Sequence, residues 1–223
     1  MQKVIILVLI FALTSFSESI QEVFAQTRTN QPSKARKQTR RFIPPDRGIP
    51  SSRRSAGSRS GCPIIEKPLF ALIPPKGENL TYSERPTFWF YVPALPEDAR
   101  VAEFILQDSQ MNDVYRSTIT LSGTAGIIGI PSKAPNPLQL NQTYQWYFKI
   151  HCQTQDKSVY FFTDGKIERV SKDKYPSENI WLDNLTALAE ERRKKPQDPV
   201  VKDDWATFLK DGELEKFINE PIL

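Results

Sequence analysis

Histidine and cysteine are nearly missing from this sequence: its 223 residues include one histidine, His151, and two cysteines, Cys62 and Cys152. These three side chains cannot form a zinc site without carboxylates, and no metal-ligand spacing is present. A Ser-His-Asp or Cys-His site would have to use His151, and Cys152 cannot be its partner because strand neighbours point to opposite faces. We therefore expect no catalytic constellation, metal or cofactor, and we expect His151 to be a solvent-facing strand residue.

Long apolar runs are also scarce, and the one near the start of the sequence is short. Residues 4–13 are uncharged and apolar and follow Lys3, but a membrane-spanning helix needs about 20 such residues. A positive residue, a short apolar run and small residues at Val23 and Ala25 are typical of a cleavable signal peptide. We predict a signal peptide over residues 1–25, no membrane span, and export to the periplasm or the extracellular space.

Export bears on the two cysteines. Disulfides form in oxidising compartments, so an exported chain with two cysteines favours a bridge between Cys62 and Cys152. The alternative is a pair of buried thiols.

Aliphatic residues are nearly absent from residues 26–60, which hold ten basic residues against one acidic residue. Such a segment cannot bury enough apolar area to offset its ordering entropy, so we predict a disordered basic linker. A polyanionic envelope polymer is the partner that this charge favours, and an inert linker is the alternative. Nucleic acid is an unlikely partner because no aromatic residue except Phe42 is available for base stacking. The basic residues are Arg28, Lys34, Arg36, Lys37, Arg40, Arg41, Arg47, Arg53, Arg54 and Arg59.

Between residues 61 and 172 the pattern changes to short apolar runs separated by turn residues. Seven segments at this spacing predict an all-β sandwich or barrel. They cover residues 69–73, 87–92, 101–107, 114–121, 126–130, 143–152 and 159–170.

Alternation within these segments assigns their faces. In 143–152 the even-numbered residues face inward, whereas Tyr147 and His151 face outward. In 101–107 Phe104 faces inward and Ile105 outward. The 87–92 segment is bulky on both sides, because Trp89 and Tyr91 lie opposite its phenylalanines. Trp89 and Tyr91 must therefore be covered by another element or form a binding surface, and we favour coverage.

The period becomes helical over residues 173–223. Ser177 is predicted to cap a first helix that ends before Pro196, and Asp198-Pro199 to start a second helix that stops at Gly212. Leu214, Phe217 and Ile218 predict a last helical turn. We expect these helices to form a C-terminal extension packed on an outer sheet face, and we favour the face that carries Trp89 and Tyr91.

Seven stretches within residues 61–223 are distinctive: Gly61-Cys62, 83–93 (Ser-Glu-Arg-Pro-Thr-Phe-Trp-Phe-Tyr-Val-Pro), 102–108, 114–115, 144–148, 181–188 and 220–222. Together they resemble the cyanobacterial family called domain of unknown function 928. The resemblance implies an exported protein of cyanobacterial source, and it transfers no catalytic or binding residue. The Pro-Thr-Phe-x-Phe and Tyr-x-Trp-x-Phe spacings are also similar to immunoglobulin-like and fibronectin type III sandwiches, which implies that fold.

Three functional hypotheses follow. The first is a non-enzymatic binding module of the cell envelope, with an envelope protein or polymer as its partner. The second is an envelope polysaccharide hydrolase, whose two carboxyl groups would lie about 5–10 Å apart in a cleft. Its candidates are Glu103, Asp108, Asp164 and Glu168. The third is a carbohydrate-binding module that uses Trp89, Tyr91 or Tyr147.

Overall fold

A computed structural model describes residues 40–44, 62, 65–76, 79–153 and 155–223. The predicted signal peptide and most of the predicted basic linker lie outside these residues. The described strands are β1 (Phe70–Ala71), β2 (Leu80–Thr81), β3 (Thr87–Val92), β4 (Val101–Gln107), β5 (Asp113–Thr120), β6 (Gly126–Pro131), β7 (Thr143–His151) and β8 (Tyr160–Arg169). The described helices are α1 (Trp181–Lys194) and α2 (Pro199–Asp211), with short 3-10 turns at Glu97–Ala99, Ser177–Asn179 and Glu215–Phe217.

The strands form two sheets. The small sheet has three strands in the order β1-β3-β6, and the large sheet has five in the order β2-β8-β7-β4-β5. Pairing is antiparallel except between β2 and β8, which are parallel. The prediction of a mainly β fold with a helical C-terminal part is confirmed. Strand β2 was not predicted, because two residues are too few to show alternation.

The two sheets pack face to face through aromatic side chains. The Phe88 ring of β3 lies 4.8 Å from the Phe104 ring of β4, and the Phe90 ring lies 4.5 Å from the Phe148 ring of β7. Aromatic pairs of this kind add about 0.5–1.5 kcal/mol beyond the burial of their area. The predicted inward face of β7 is confirmed, since all of its members are buried: Tyr144, Trp146, Phe148, Ile150 and Cys152.

The outer face of the small sheet lies beneath the C-terminal helices. The Trp89 indole N–H donates to Thr186 Oγ1 of α1 at 2.9 Å, and the Tyr91 ring lies 5.0 Å from the Phe217 ring. Trp89 is 3% exposed and Tyr91 is 4% exposed. Gly129 of β6 lies flat against the Trp89 ring, where an added Cβ would come within 2.9 Å of it. The sequence left two alternatives for Trp89 and Tyr91, coverage by another element or a binding surface. These contacts show that the C-terminal helical region covers both rings.

Trp181, at the start of α1, joins both helices to the small sheet. It is fully buried, its indole N–H donates to the Leu72 carbonyl at 2.6 Å, and its ring stacks on Phe208 of α2 at 4.3 Å. Gly212 closes α2 directly against the same ring, where a Cβ has no room. A large ring with contacts on three elements is expected to contribute several kcal/mol to stability.

The two helix starts differ in how well the sequence predicted them. Asp198 caps α2 as predicted, since its side chain accepts from the backbone N–H groups of Val200 and Val201. Ser177 does not cap α1, and that prediction is wrong. It belongs to a separate 3-10 turn, and α1 begins at Trp181 after Ile180, which provides no side-chain cap. Ile180, the residue directly before the helix, is 1% exposed.

Residues 40–44 pack on the helices, although they fall within the segment predicted as a disordered linker. The Phe42 ring lies 4.8 Å from the Trp181 ring and is 5% exposed. The Ile43 N–H donates to the Glu178 carbonyl at 2.9 Å. The interpretation of residues 26–60 as disordered is therefore wrong for this short stretch. One aromatic side chain anchors a polar segment, and composition averaged over the whole segment does not reveal it.

Candidate binding surfaces

Cys62 and Cys152 form a disulfide, as predicted. Their Cα atoms are 5.0 Å apart, and 90 positions separate them in sequence. The bridge connects the segment before β1 to the residue that follows β7. Neither cysteine is free, so the described part of the chain offers no cysteine nucleophile.

His151 is buried, contrary to the prediction that it faces solvent. It is 8% exposed, its Nδ1 lies 3.2 Å from the Lys157 carbonyl, and its ring lies 6.2 Å from the Tyr160 ring. The turn after β7 folds back onto the imidazole, which alternation within one strand does not predict. The histidine thus packs within the β7–β8 hairpin. Among the described residues, no group of three or more His, Cys, Asp or Glu side chains is arranged to hold a metal ion.

The four carboxylates named for a hydrolase lie on β4, in the turn that follows it and on β8. Glu103 is paired with Arg116 at 2.8 Å, and Asp164 accepts from the Gln145 amide at 3.0 Å. Asp108 accepts from the backbone N–H groups of Gln110 and Asn112, and these hydrogen bonds hold its pKa below the usual value. The linings of the two concavities described below include none of these four residues: Glu103, Asp108, Asp164 and Glu168.

A partly buried carboxyl group that the sequence did not single out belongs to Asp183, in the first turn of α1. Burial raises its pKa above the usual value, although hydrogen bonds from Thr81 and the neighbouring backbone oppose that shift. Its Oδ2 accepts from the Thr81 hydroxyl at 2.6 Å, and its Oδ1 accepts from the Tyr82 N–H at 3.3 Å. An acidic residue in a first helical turn is ordinary in sequence, so nothing marked this one.

Asp183 lines a concavity of about 210 Å³ between α1 and the segment that connects β2 to β3. The lining also includes Ser83, Arg85, Thr186 and Glu190. A carboxyl group with a perturbed pKa in a concavity is a general mark of a functional site. Here both oxygens of the Asp183 carboxyl group accept hydrogen bonds, from Thr81 and Tyr82, which attach the end of β2 and the segment after it to α1. This structural role accounts for the position of Asp183 in the concavity.

A larger concavity of about 420 Å³ lies between β5, an edge strand of the large sheet, and β6, an edge strand of the small sheet. We call it the edge groove. Aliphatic side chains, hydroxyl groups and one lysine line it. They belong to Tyr115, Ser117, Thr118, Ile119, Thr120, Leu121, Ser122, Ile128, Gly129, Ile130, Pro131, Lys133 and Leu223.

The outer face of the large sheet differs from that of the small sheet, since partly exposed residues alternate along β7 on that side. Tyr147 and Phe162 are partly exposed on it. Lys149 Nζ lies 5.2 Å from the Tyr160 ring centroid. Ile105 also points to this side, as predicted, yet it is buried between its register neighbours on β5 and β7. Ion pairs and amide hydrogen bonds occupy the polar groups around these rings, as on a solvated sheet face.

Two residues of the predicted basic linker are within the described part of the chain. Arg41 Nε donates to Asp211 Oδ2 at 2.9 Å, and Arg40 is partly buried. The contact with Asp211 therefore places Arg41 beside α2. The remaining members lie outside the described residues: Arg28, Lys34, Arg36, Lys37, Arg47, Arg53, Arg54 and Arg59.

Comparison with known proteins identifies a family to which the chain is similar. The family model described as Domain of Unknown Function (DUF928) matches residues 54–222. No protein with a curated description matches the chain. None of the described helices combines the length and the apolar character that a bilayer crossing requires.

Proposed function

We propose that this chain, which belongs to the DUF928 family of unknown function, is a non-enzymatic binding module of the cell envelope. In this proposal the protein is exported to the periplasm or the extracellular space. The observation that carries this proposal is the edge groove, an open concavity lined by aliphatic and hydroxyl groups and bounded by two sheet edges. Such a lining fits recognition of another chain, because apolar contact and hydrogen-bonding groups lie side by side.

The disulfide supports the proposed compartment. Bridges between distant cysteines persist in oxidising environments and are rare where thiols are kept reduced. The basic residues before the folded part would then face an envelope polymer or protein, and the chain would come from a cyanobacterium. N-terminal analysis of the mature protein from the exporting host tests this directly: we expect Gln26 as the first residue and a mass two hydrogens below that of the dithiol form. Retention of residues 1–25 or free thiols would contradict export.

The strand order supports an immunoglobulin-like or fibronectin-III-like sandwich for residues 61–172, with residues 173–223 as its helical extension. The antiparallel set β1-β3-β6 faces the antiparallel set β8-β7-β4-β5, with β2 added in parallel beside β8. Sandwiches of this class use loops, edges and open faces for recognition more often than for catalysis.

Site-specific photocrosslinking in the exporting host tests the binding role. A photoreactive phenylalanine at position 119, in the edge groove, should give a discrete envelope adduct, whereas the same residue at Lys166, on the outer face of the large sheet, should not. Equal adducts from both positions, or none from position 119, would contradict a binding role for the groove. Release of reducing ends from purified envelope polysaccharide by the mature protein would support the hydrolase instead.

A further inference from the structure

The two sheets differ in width, and the edge groove lies where the small sheet is narrower. The small sheet ends at β6, whereas the large sheet continues to β5. Register places Tyr115, Ser117 and Ile119 of β5 on the same side as their inward-facing partners in β4. These side chains line the groove and are only partly covered. The small sheet therefore has room for one more strand, beside β6 and opposite β5.

The exposed edge of β6 carries backbone groups that point into this position. The Ile127 N–H and C=O point away from β3, since they bond to residues 221 and 223. Alternation along a strand gives the same direction to the N–H and C=O of Gly129 and to the C=O of Pro131. Within the described part of the chain, no backbone group pairs with these groups of Gly129 and Pro131. They form a short ladder of one donor and two acceptors.

The same edge already holds an extended segment of this chain. Ile222 pairs in parallel with Ile127: the Ile127 N–H donates to the Pro221 carbonyl at 2.7 Å, and the Leu223 N–H donates to the Ile127 carbonyl at 2.9 Å. Leu223 lines one end of the groove. The half of β6 beyond Ile127 is the part of the edge that this segment leaves unpaired.

We propose that the edge groove binds an extended peptide segment of a partner protein, which pairs with β6 at Gly129 and Pro131 and adds a strand to the small sheet. The proposal rests on the proposed binding function and names its ligand class. In this mode main-chain hydrogen bonds supply affinity and pockets for alternate side chains supply specificity. The unpaired part of β6, residues 128–131, matches about four residues of an extended chain.

The lining indicates the composition of the segment. Side chains that point between the sheets would contact Ile119, Ile128 and Ile130, which favours β-branched or other aliphatic residues at alternate positions. Lys133 is the one charged side chain in the described lining, which favours a neutral or acidic segment over a basic one. This requirement argues against the basic residues 26–60 of the chain itself as the occupant.

The test pans a phage-displayed library of random peptides of about ten residues against the mature wild-type protein, followed by affinity measurements with one synthetic peptide of the enriched sequence. We expect enriched peptides to alternate aliphatic and polar residues. Ser117→Lys places a long cationic side chain in the groove and should weaken binding by about tenfold or more. Thr143→Lys, at the exposed start of β7 on the outer face of the large sheet and outside the groove lining, is the matched control and should change affinity by less than about twofold.

A second measurement separates strand pairing from simple apolar contact. On binding, amide exchange of Gly129 should slow, as its N–H acquires an acceptor from the peptide. Failure to enrich peptides, equal affinities of the two lysine variants, or an unchanged Gly129 amide would each overturn the proposal. A concentration-dependent dimer that Ser117→Lys abolishes would do the same, by making a second copy the occupant. Peptide failure combined with a position-119 adduct would leave the binding function intact and overturn only this ligand class.

Discussion

The two sheets use their outer faces in opposite ways. The small sheet is buried on both sides, between the large sheet and the helices, so that five of the six residues of β3 are buried. The large sheet is buried on one side, and β7 accordingly alternates between buried and partly exposed residues along most of its length. Bulky residues on both faces of a strand therefore indicate a covered sheet, and clean alternation indicates an open one.

The small sheet and the helices over it stabilise the fold, whereas the large sheet keeps surfaces that are available for contact. Burial of aromatic rings under α1 and α2 concentrates apolar area around the small sheet. The large sheet keeps a partly exposed outer face, and its edge strand β5 forms one wall of the edge groove. The following predictions test the comparison, from the largest expected effect to the smallest.

Removing the ring that joins the helices to the small sheet should be the most damaging change. Trp181→Ala deletes a fully buried side chain together with its hydrogen bond to Leu72, and we expect a loss of about 3–5 kcal/mol in the free energy of unfolding. Tyr147→Ala, on the open face of the large sheet, is the comparison and should cost less than about 1 kcal/mol. Urea unfolding followed by tryptophan fluorescence and circular dichroism measures both, and similar losses would contradict the assignment of covered and open faces.

The disulfide connects the segment that leads into the small sheet with the end of β7 in the large sheet. Its loop of 90 positions restricts the unfolded chain strongly, so Cys62→Ser with Cys152→Ser should lower the free energy of unfolding by about 2–4 kcal/mol. Wild-type protein under reducing conditions should unfold at the same urea concentration as the double variant. A variant as stable as the oxidised wild type would show that the bridge adds no constraint.

Phe42 attaches a segment that precedes the sheets to the helix pair. Phe42→Ala should lower the free energy of unfolding by about 1–3 kcal/mol, because the ring is buried against Trp181 and Phe208 and its removal leaves a cavity. Ile43→Ala is the matched control: Ile43 is 54% exposed, and the change should stay within about 0.5 kcal/mol. Thermal unfolding of both variants distinguishes an anchored segment from a loosely associated one, for which the two substitutions would have equal effects.

The smallest effect concerns the pH dependence at Asp183. Burial raises the pKa of this carboxyl in the folded state, so the folded protein holds the proton more tightly than the unfolded chain. The stabilisation from that proton is complete below the unfolded-state pKa and is lost as the pH rises through the folded-state pKa. Asp183→Asn cannot ionise and should therefore gain stability relative to wild type as the pH rises toward neutrality.

Urea midpoints of both proteins across that pH range measure this difference. The carboxyl groups of Asp108, Asp113 and Asp156, whose pKa values are lowered by hydrogen bonds, are present in both proteins and cancel in the comparison. A difference that stays constant with pH, or that favours wild type at higher pH, would contradict a raised pKa at Asp183.

Local pattern was sufficient for much of the fold. Alternation located β3 and β4 at their observed bounds and identified the buried face of β7. The Asp198-Pro199 pair located the start of α2, because a side-chain cap and a proline at the first helical position act over a few residues. The binding surfaces were harder to predict from the sequence. Tyr147 was placed correctly on the open face, whereas the edge groove and the Asp183 concavity combine residues far apart in sequence.

By itself, the sequence determined seven of the eight described strands, the inner face of β7, the helical C-terminal region and the cysteine pair. Each of these depends on a period of a few residues or on a count of two. Only the tertiary structure decided what covers each outer face. Trp89 and Tyr91 lie under helices that begin 90 or more positions after them, and Phe42 packs against Trp181. The tertiary structure also decided that the small sheet ends at β6, which forms one edge of the groove. Such contacts join distant residues, and local periodicity carries no information about them.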